Sequence, residues 1–152
     1  KIKSQKNLKT FFPKINEVLN LKDHQINIKF KDNNLSLSGL GKIQLEKEFD
    51  EIDYSISQSG DKVNIDSNIK LSGLKIKSQK NLKTFFPKIN EVVDLKDHQI
   101  NIKFKDNNLS LTGSGKIQLE KEFDEIDYSI SQSEDKVNFD TKFIFNKTQF
   151  KV

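Results

Sequence analysis

The sequence predicts a mainly β protein with a minor helical part, built as tandem antiparallel β-meander repeats that run together into one continuous curved sheet or groove. Three observations carry this. Residues 1–66 recur as residues 75–140 at an offset of 74, with six differences: Leu19/Val93, Asn20/Asp94, Ser38/Thr112, Leu40/Ser114, Gly60/Glu134 and Ile65/Phe139. Apolar and polar residues alternate with a period of two over most of each copy. Clusters of Asp, Asn, Ser and Gly punctuate the alternating runs at hairpin spacing.

The first element of each repeat reads as a helix. Leu8, Phe11, Phe12, Ile15, Val18 and Leu19 fall at helical spacing, Thr10 suits an N-cap, and Pro13 is tolerated in a first turn. One short amphipathic helix per repeat is therefore predicted, over about 10–19 and again over Phe85 to Val93. Ile26, Ile28 and Phe30 then alternate with Asn27, Lys29 and Lys31, and Asp32-Asn33-Asn34 accepts the left-handed conformations of a tight turn. The return strand keeps Leu35, Leu37, Gly39, Gly41, Ile43 and Leu45 in one phase. Glycine in that phase predicts a sharp bend or the close approach of another backbone.

A third strand carries Ile52, Tyr54 and Ile56 inward; after Gln58-Ser59-Gly60-Asp61 a fourth carries Val63, Ile65, Ser67, Ile69 and Leu71. At Gly73-Leu74 the apolar phase flips, which predicts a bulge at the joint between repeats. The scheme recurs as Ile100 to Phe104, Leu109 to Leu119, Ile126 to Ile130 and Val137 to Phe145. Residues 1–74 form the first repeat and 75–152 the second, whose last strand diverges: Ser67 to Ser78 no longer resembles Thr141 to Val152. A unit of this size sits near the lower limit of independent stability, so each copy leans on its neighbour. The chain reads as a piece of a longer repeat-built protein.

Composition narrows the function classes. There is no Cys, Met, Trp, Ala or Arg, so neither a disulfide framework nor a thiolate metal site is available. The net charge is +4, but 26 Lys are interspersed with 22 acidic residues, without a basic block, an Arg fork or aromatics in a polar phase. That argues against nucleic acid as a partner. No apolar run is long enough to cross a bilayer as a helix, so a membrane anchor would have to lie outside this segment.

No residue set reads as catalytic, no cofactor site is visible, and an enzyme is not expected. His24 and His98 are one position in two copies, so no histidine pair forms within a unit; both read as surface loop residues beside Asp23 and Asp97. Glu46, Glu48, Asp50, Glu51 and Asp53 lack the glycine and ligand order of a calcium loop and read as solvated strand ends, so no metal site is expected. Gly39 and Gly41 precede no helix start and do not form a phosphate loop. Ser36 and Ser38 have no base in phase with them. Three glycosylation sequons, at Asn34, Asn108 and Asn146, carry no weight here.

Each strand has one apolar and one charged face, and a single short helix per unit cannot cover the apolar one. Either the sheet packs on itself, or it curls into a trough whose lining is filled by an apolar ligand. Periodicity leaves both open. The runs Leu35-Ser36-Leu37-Ser38-Gly39-Leu40-Gly41-Lys42-Ile43, Phe49-Asp50-Glu51-Ile52-Asp53-Tyr54-Ser55-Ile56 and Lys62-Val63-Asn64-Ile65-Asp66 resemble bacterial AsmA-like envelope proteins of the YhdP and TamB type, as do Gly113-Ser114-Gly115-Lys116 and Phe139-Asp140-Thr141. The resemblance implies a long periplasmic protein, anchored in the inner membrane, whose stacked β repeats form an apolar groove for phospholipid transport.

On that basis the lipid-contacting residues are expected to be Ile28, Phe30, Leu37, Ile43, Leu45, Tyr54, Ile56, Val63 and Ile65 in the first copy. Their partners in the second are Ile102, Phe104, Leu111, Ile117, Leu119, Tyr128, Ile130, Val137 and Phe139. Phospholipid acyl chains and neighbouring repeats of the same chain are the expected partners. The competing expectation is a structural or adhesive spacer with a self-packed core and no lipid ligand.

Overall fold

The computed structural model describes residues 12–152. Eight antiparallel strands follow one another in chain order in one sheet: β1 (Asn20–Lys31), β2 (Asn34–Gln44), β3 (Phe49–Ser59), β4 (Lys62–Lys77), β5 (Val92–Lys105), β6 (Asn108–Gln118), β7 (Asp124–Ser133) and β8 (Lys136–Ile144). Every strand pairs with its neighbours in sequence, and among the described residues β1 and β8 are open edges, so the sheet is not a closed barrel. At about 4.8 Å between strands it spans about 34 Å.

The turns follow the chemistry of their residues. Asp32-Asn33 and Asp106-Asn107 hold positive φ at both positions, 49° and 61° in the first and 50° and 61° in the second. These are two-residue turns whose twist matches that of the flanking strands. Gly60 sits at φ 58°, and its counterpart Glu134 adopts 52° without the freedom of glycine.

The two sequence copies do not form two separate repeat units. The sheet runs through the copy boundary, and β4 and β5 pair from Ile65↔Phe104 to Lys77↔Val92. The expected bulge also lies elsewhere. Register shifts on β1 between Lys22 and Gln25 and on β5 between Lys96 and Gln99, where Asp23 and Asp97 hold φ of 48° and 54°. The phase flip at Gly73-Leu74 is met by this bulge on β5. Leu71 pairs with His98 and Leu74 with Leu95, with no break in the β4–β5 register.

One short helix per repeat is not what forms. In the first copy Leu8, Thr10 and Phe11 of the expected helix lie outside the described residues, and 12–19 are turns and bends. In the second a 3-10 helix at Lys80–Thr84 precedes the expected span, and 85–91 is irregular. Proline is the physical reason. Pro87 has no N–H to donate and disfavours helical backbone at Phe86. The chain makes isolated turns instead, Phe86 N–H to Leu82 O at 2.8 Å and Ile89 N–H to Phe86 O at 3.1 Å. Asn90 then anchors it to the end of β6, its N–H donating to Leu119 O at 2.8 Å and its side-chain amide to Glu120 O at 2.6 Å. Asn16 repeats this anchor on Leu45 O and Glu46 O at 2.7 and 2.6 Å.

These segments cover one end of the apolar face. Phe86 and Ile89 bury themselves against Val93, Ile117, Leu119 and Ile126, with Ile76, Leu95, Tyr128 and Phe143 packed around them. The C-terminal segment adds Phe145 and Phe150 to Phe86, and Lys151 N–H donates to Phe85 O at 2.8 Å. Among the described residues the rest of the sheet is a single layer.

Candidate functional site

Residues paired across antiparallel strands share a face, so the register assembles the apolar side chains into rows. One row runs Ile28, Leu37, Ile56, Ile65, Phe104, Leu109 from β1 to β6. The next runs Ile102, Leu111, Ile130, Phe139 from β5 to β8. Phe30 and Val63 lie one row further out, level with Leu35 and Gln58. Nothing among the described residues covers these rows.

Exposure varies along them. Leu37, Ile56, Val63, Ile65, Ile102, Phe104, Leu111 and Ile130 are half-buried by their neighbours, as are Ile43 and Leu45 nearer the covered end. On the edges Ile28 and Phe30 are 65% and 71% exposed, and Val137 and Phe139 63% and 65%. Ile117 and Leu119 lie at the packed end, buried in one cluster with Phe86 and Ile89. Tyr54 and Tyr128 are also set apart, each lying flat over glycine.

That arrangement overturns two readings of the sequence. Gly39 and Gly113 do not bend their strands for another backbone; they make room for a ring. A Cβ at Gly39 would stand 2.8 Å from Tyr54 Cε1, and one at Gly113 would stand 2.5 Å from Tyr128 Cε2. At Gly41 the expected close backbone approach is met: a Cβ there would stand 2.5 Å from His24 Cα and 2.8 Å from Asp23 O, and one at Gly115 would stand 2.6 Å from His98 Cγ and 2.8 Å from its Cα, so these two glycines admit the bulges of β1 and β5 with their histidines. Cross-strand aromatic cover of glycine is a recognised way of pinning strand register.

His24 and His98 are therefore not surface loop residues: His24 is half-buried and His98 is 1% exposed. The β1 and β5 bulges swing them inward over the glycines. His98 Nε2 lies 2.8 Å from Lys116 O, which only accepts, so Nε2 carries the proton of the neutral ring. Nδ1 then accepts from the Tyr128 hydroxyl at 3.1 Å. Burial lowers the His98 pKa from its usual value, opposed by the Lys116 carbonyl and by Asp97. Burial also raises that of Tyr128, keeping it a neutral donor. In the first copy His24 Nε2 faces the Tyr54 hydroxyl at 3.1 Å.

Asp50 and Asp124 are not solvated strand ends either. Asp50 is buried and accepts from the Ser72 backbone N–H at 2.7 Å and the Ser72 hydroxyl at 2.6 Å. Asp124, 1% exposed, accepts from Asn146 N–H at 2.7 Å and from the Thr148 hydroxyl. Asp50 on β3 thus holds Ser72 within the neighbouring β4, and Asp124 on β7 holds the chain that leaves the neighbouring β8.

The opposite face is polar. Asn68 donates to Asp53 at 3.0 Å and Asn101 to Asn68 at 2.7 Å, forming a cross-strand amide chain at the floor of a depression of about 680 Å³ with Lys70, Gln99 and Asp127 on its rim. The ion pairs Lys70–Glu51 and Lys103–Asp66, at 3.2 and 3.9 Å, are exposed and contribute little to stability. Among the described residues no three His, Asp or Glu side chains converge as a metal site, and no helix is long and apolar enough to cross a membrane. The apolar face has its own cavity, about 320 Å³, lined by Ile76, Leu82, Ile89, Val93, Ile117 and Leu119 at the covered end.

No family model, curated protein or solved structure matches the chain. The site must therefore be argued from its own chemistry. It comprises adjoining apolar rows on a one-layer sheet, closed at one end by aromatic packing and backed by a charged face.

Proposed function

We propose that this chain is a segment of a repeat-built, bridge-like protein that offers an apolar groove to phospholipid acyl chains and carries them across the bacterial envelope. It does so without catalysis. The observation behind this reading is the apolar face that no described residue covers: rows such as Leu37–Ile56–Ile65–Phe104 lie side by side on a sheet whose described residues pack a core at one end. Contiguous apolar surface of this kind marks a binding site in a soluble protein. The charged reverse face keeps such a sheet in water, and the small cavity beside Ile89 falls within the size range of ligand sites. The periplasmic location and the inner-membrane anchor beyond this segment follow from the resemblance of the strand motifs to AsmA-like proteins.

The test is photo-crosslinking in cells of the full protein, with the probe at Leu37, Ile56 or Leu111 and a control on the polar face at Ser110. Phospholipid adducts at the first three and none at the control support the groove. Probes that crosslink only within the protein would transfer the reading to a structural spacer with no lipid ligand.

A further inference from the structure

The two edges that are open among the described residues are not unrelated surfaces. β1 matches the Asp94–Lys105 stretch of β5 residue for residue except at Asn20/Asp94, and β5 uses the edge that β1 leaves free to pair with β4. The first residues of β8, Lys136-Val137-Asn138-Phe139-Asp140, differ from the corresponding Lys62-Val63-Asn64-Ile65-Asp66 of β4 only at Phe139. The sheet thus contains, at β4–β5, an example of how its own two edges fit together.

We propose that a second copy of this chain docks head to tail, its β8 pairing antiparallel with the free edge of β1 and extending the sheet from eight strands to sixteen. The register is carried over from β4–β5. Ile65↔Phe104 becomes Phe139 beside Phe30, Ser67↔Ile102 becomes Thr141 beside Ile28, and Ile69↔Ile100 becomes Phe143 beside Ile26. On the polar face the Lys103–Asp66 ion pair, 3.9 Å apart, becomes Lys29 with Asp140, both exposed in the single chain. Each pairing joins apolar to apolar, small polar to β-branched, or opposite charges, which is what stabilises cross-strand neighbours.

The distribution of exposure supports the same occupant. Ile28, Phe30, Val137 and Phe139 are the most exposed of the row-forming apolar residues, and all lie on the two edge strands. Those on inner strands are half-buried because a neighbouring strand flanks them. Main-chain pairing along an edge gives the affinity and the alternating side chains give the register. The two surfaces differ, so the contact does not close on itself. Association continues into linear chains of copies and not into a dimer. The proposal does not depend on the lipid reading and holds equally for a spacer.

The chain has no cysteine, which makes a directed test clean. Lys29→Cys and Asp140→Cys are made separately, mixed and oxidised. The heterodimer is expected at tenfold or more over either homodimer, and the double variant is expected to give a ladder of linear oligomers. Asp66→Cys with Lys103→Cys in one chain calibrates the reaction, since those positions face each other in the β4–β5 register. Homodimers of Lys29→Cys at the level of the heterodimer would show edge pairing of like with like and overturn the proposal. So would absence of intermolecular disulfide while the internal pair forms. Sedimentation of the unaltered chain gives a second readout: mass rising steadily with concentration supports the proposal, whereas a monomer throughout, or an arrest at dimer, refutes it.

Discussion

Replacing Gly115 by alanine tests whether the glycines exist to seat the rings. The added Cβ would lie 2.6 Å from His98 Cγ and 2.8 Å from His98 Cα, so a rotamer change alone cannot relieve the overlap and the backbone of β5 must move. Overpacking of this kind costs about 1–3 kcal/mol. Displacing the ring also loosens its bonds to Lys116 O and Tyr128, adding about 1 kcal/mol. The expected loss is about 2–4 kcal/mol, a fall in Tm of about 5–15 °C for a chain of this length. Urea and thermal unfolding followed by circular dichroism measure it. Gly60→Ala is the internal comparison, because a Cβ there meets nothing within 4 Å and bears only the strain of φ 58°, about 1 kcal/mol. In the double variant with His98→Ala the ring is gone but the overlap with the Cα of residue 98 remains, so the cost of Gly115→Ala should shrink by about 1 kcal/mol without vanishing. A Gly115→Ala protein within about 0.5 kcal/mol of the parent, or additive losses in the double variant, would refute the reasoning.

Four further outcomes are expected. His98 titrates below its ordinary value because burial favours the neutral ring, so at mildly acidic pH the unfolded chain binds more protons than the folded one. Its stabilising effect is complete above about pH 6.5 and is lost as pH falls through the folded-state pKa; unfolding midpoints from pH 8 to 5 should fall less steeply in His98→Gln than in the parent. Asp124→Ala leaves Asn146 N–H and Thr148 without their acceptor and should cost about 1–3 kcal/mol. Hydrogen exchange at Asn146 should accelerate in Asp124→Ala and much less in Asp124→Asn, which keeps an acceptor oxygen. Phe86→Ala empties the packed end and should cost about 3–5 kcal/mol in chemical denaturation. Phe30→Ala, at a 71% exposed position, should stay within about 0.5 kcal/mol.

The strands were legible because alternation and turn chemistry are local. Ile26, Ile28 and Phe30 mark β1, and Asp32-Asn33 fixes the β1–β2 turn. The expected helix failed because Phe85, Phe86, Ile89 and Val93 have helical spacing but serve a chain that turns at Pro87 and folds its rings over the sheet end. The histidine and tyrosine seats were not legible as such, because Gly113 meets Tyr128 only once the β6–β7 register is known, and the connection between those strands carries no turn signature. One signal was available. Asp50 falls in the same phase as Ile52, Tyr54 and Ile56, and an acid on the apolar side implies a buried carboxylate with dedicated donors.

The meander also bears on how the molecule reaches this state. Every strand pairs with its chain neighbours, so loop closure is inexpensive and sheet growth can proceed hairpin by hairpin, which favours fast folding. Yet during that growth β4 meets two nearly indistinguishable templates, the free edge of β1 and the same edge of β5. Side-chain energies alone scarcely separate them. The choice between a growing open sheet and a four-stranded ring closed on itself therefore falls to kinetics and to the continuity of the rows beyond β5. Divergence between the copies, rather than their likeness, is what would make that choice irreversible.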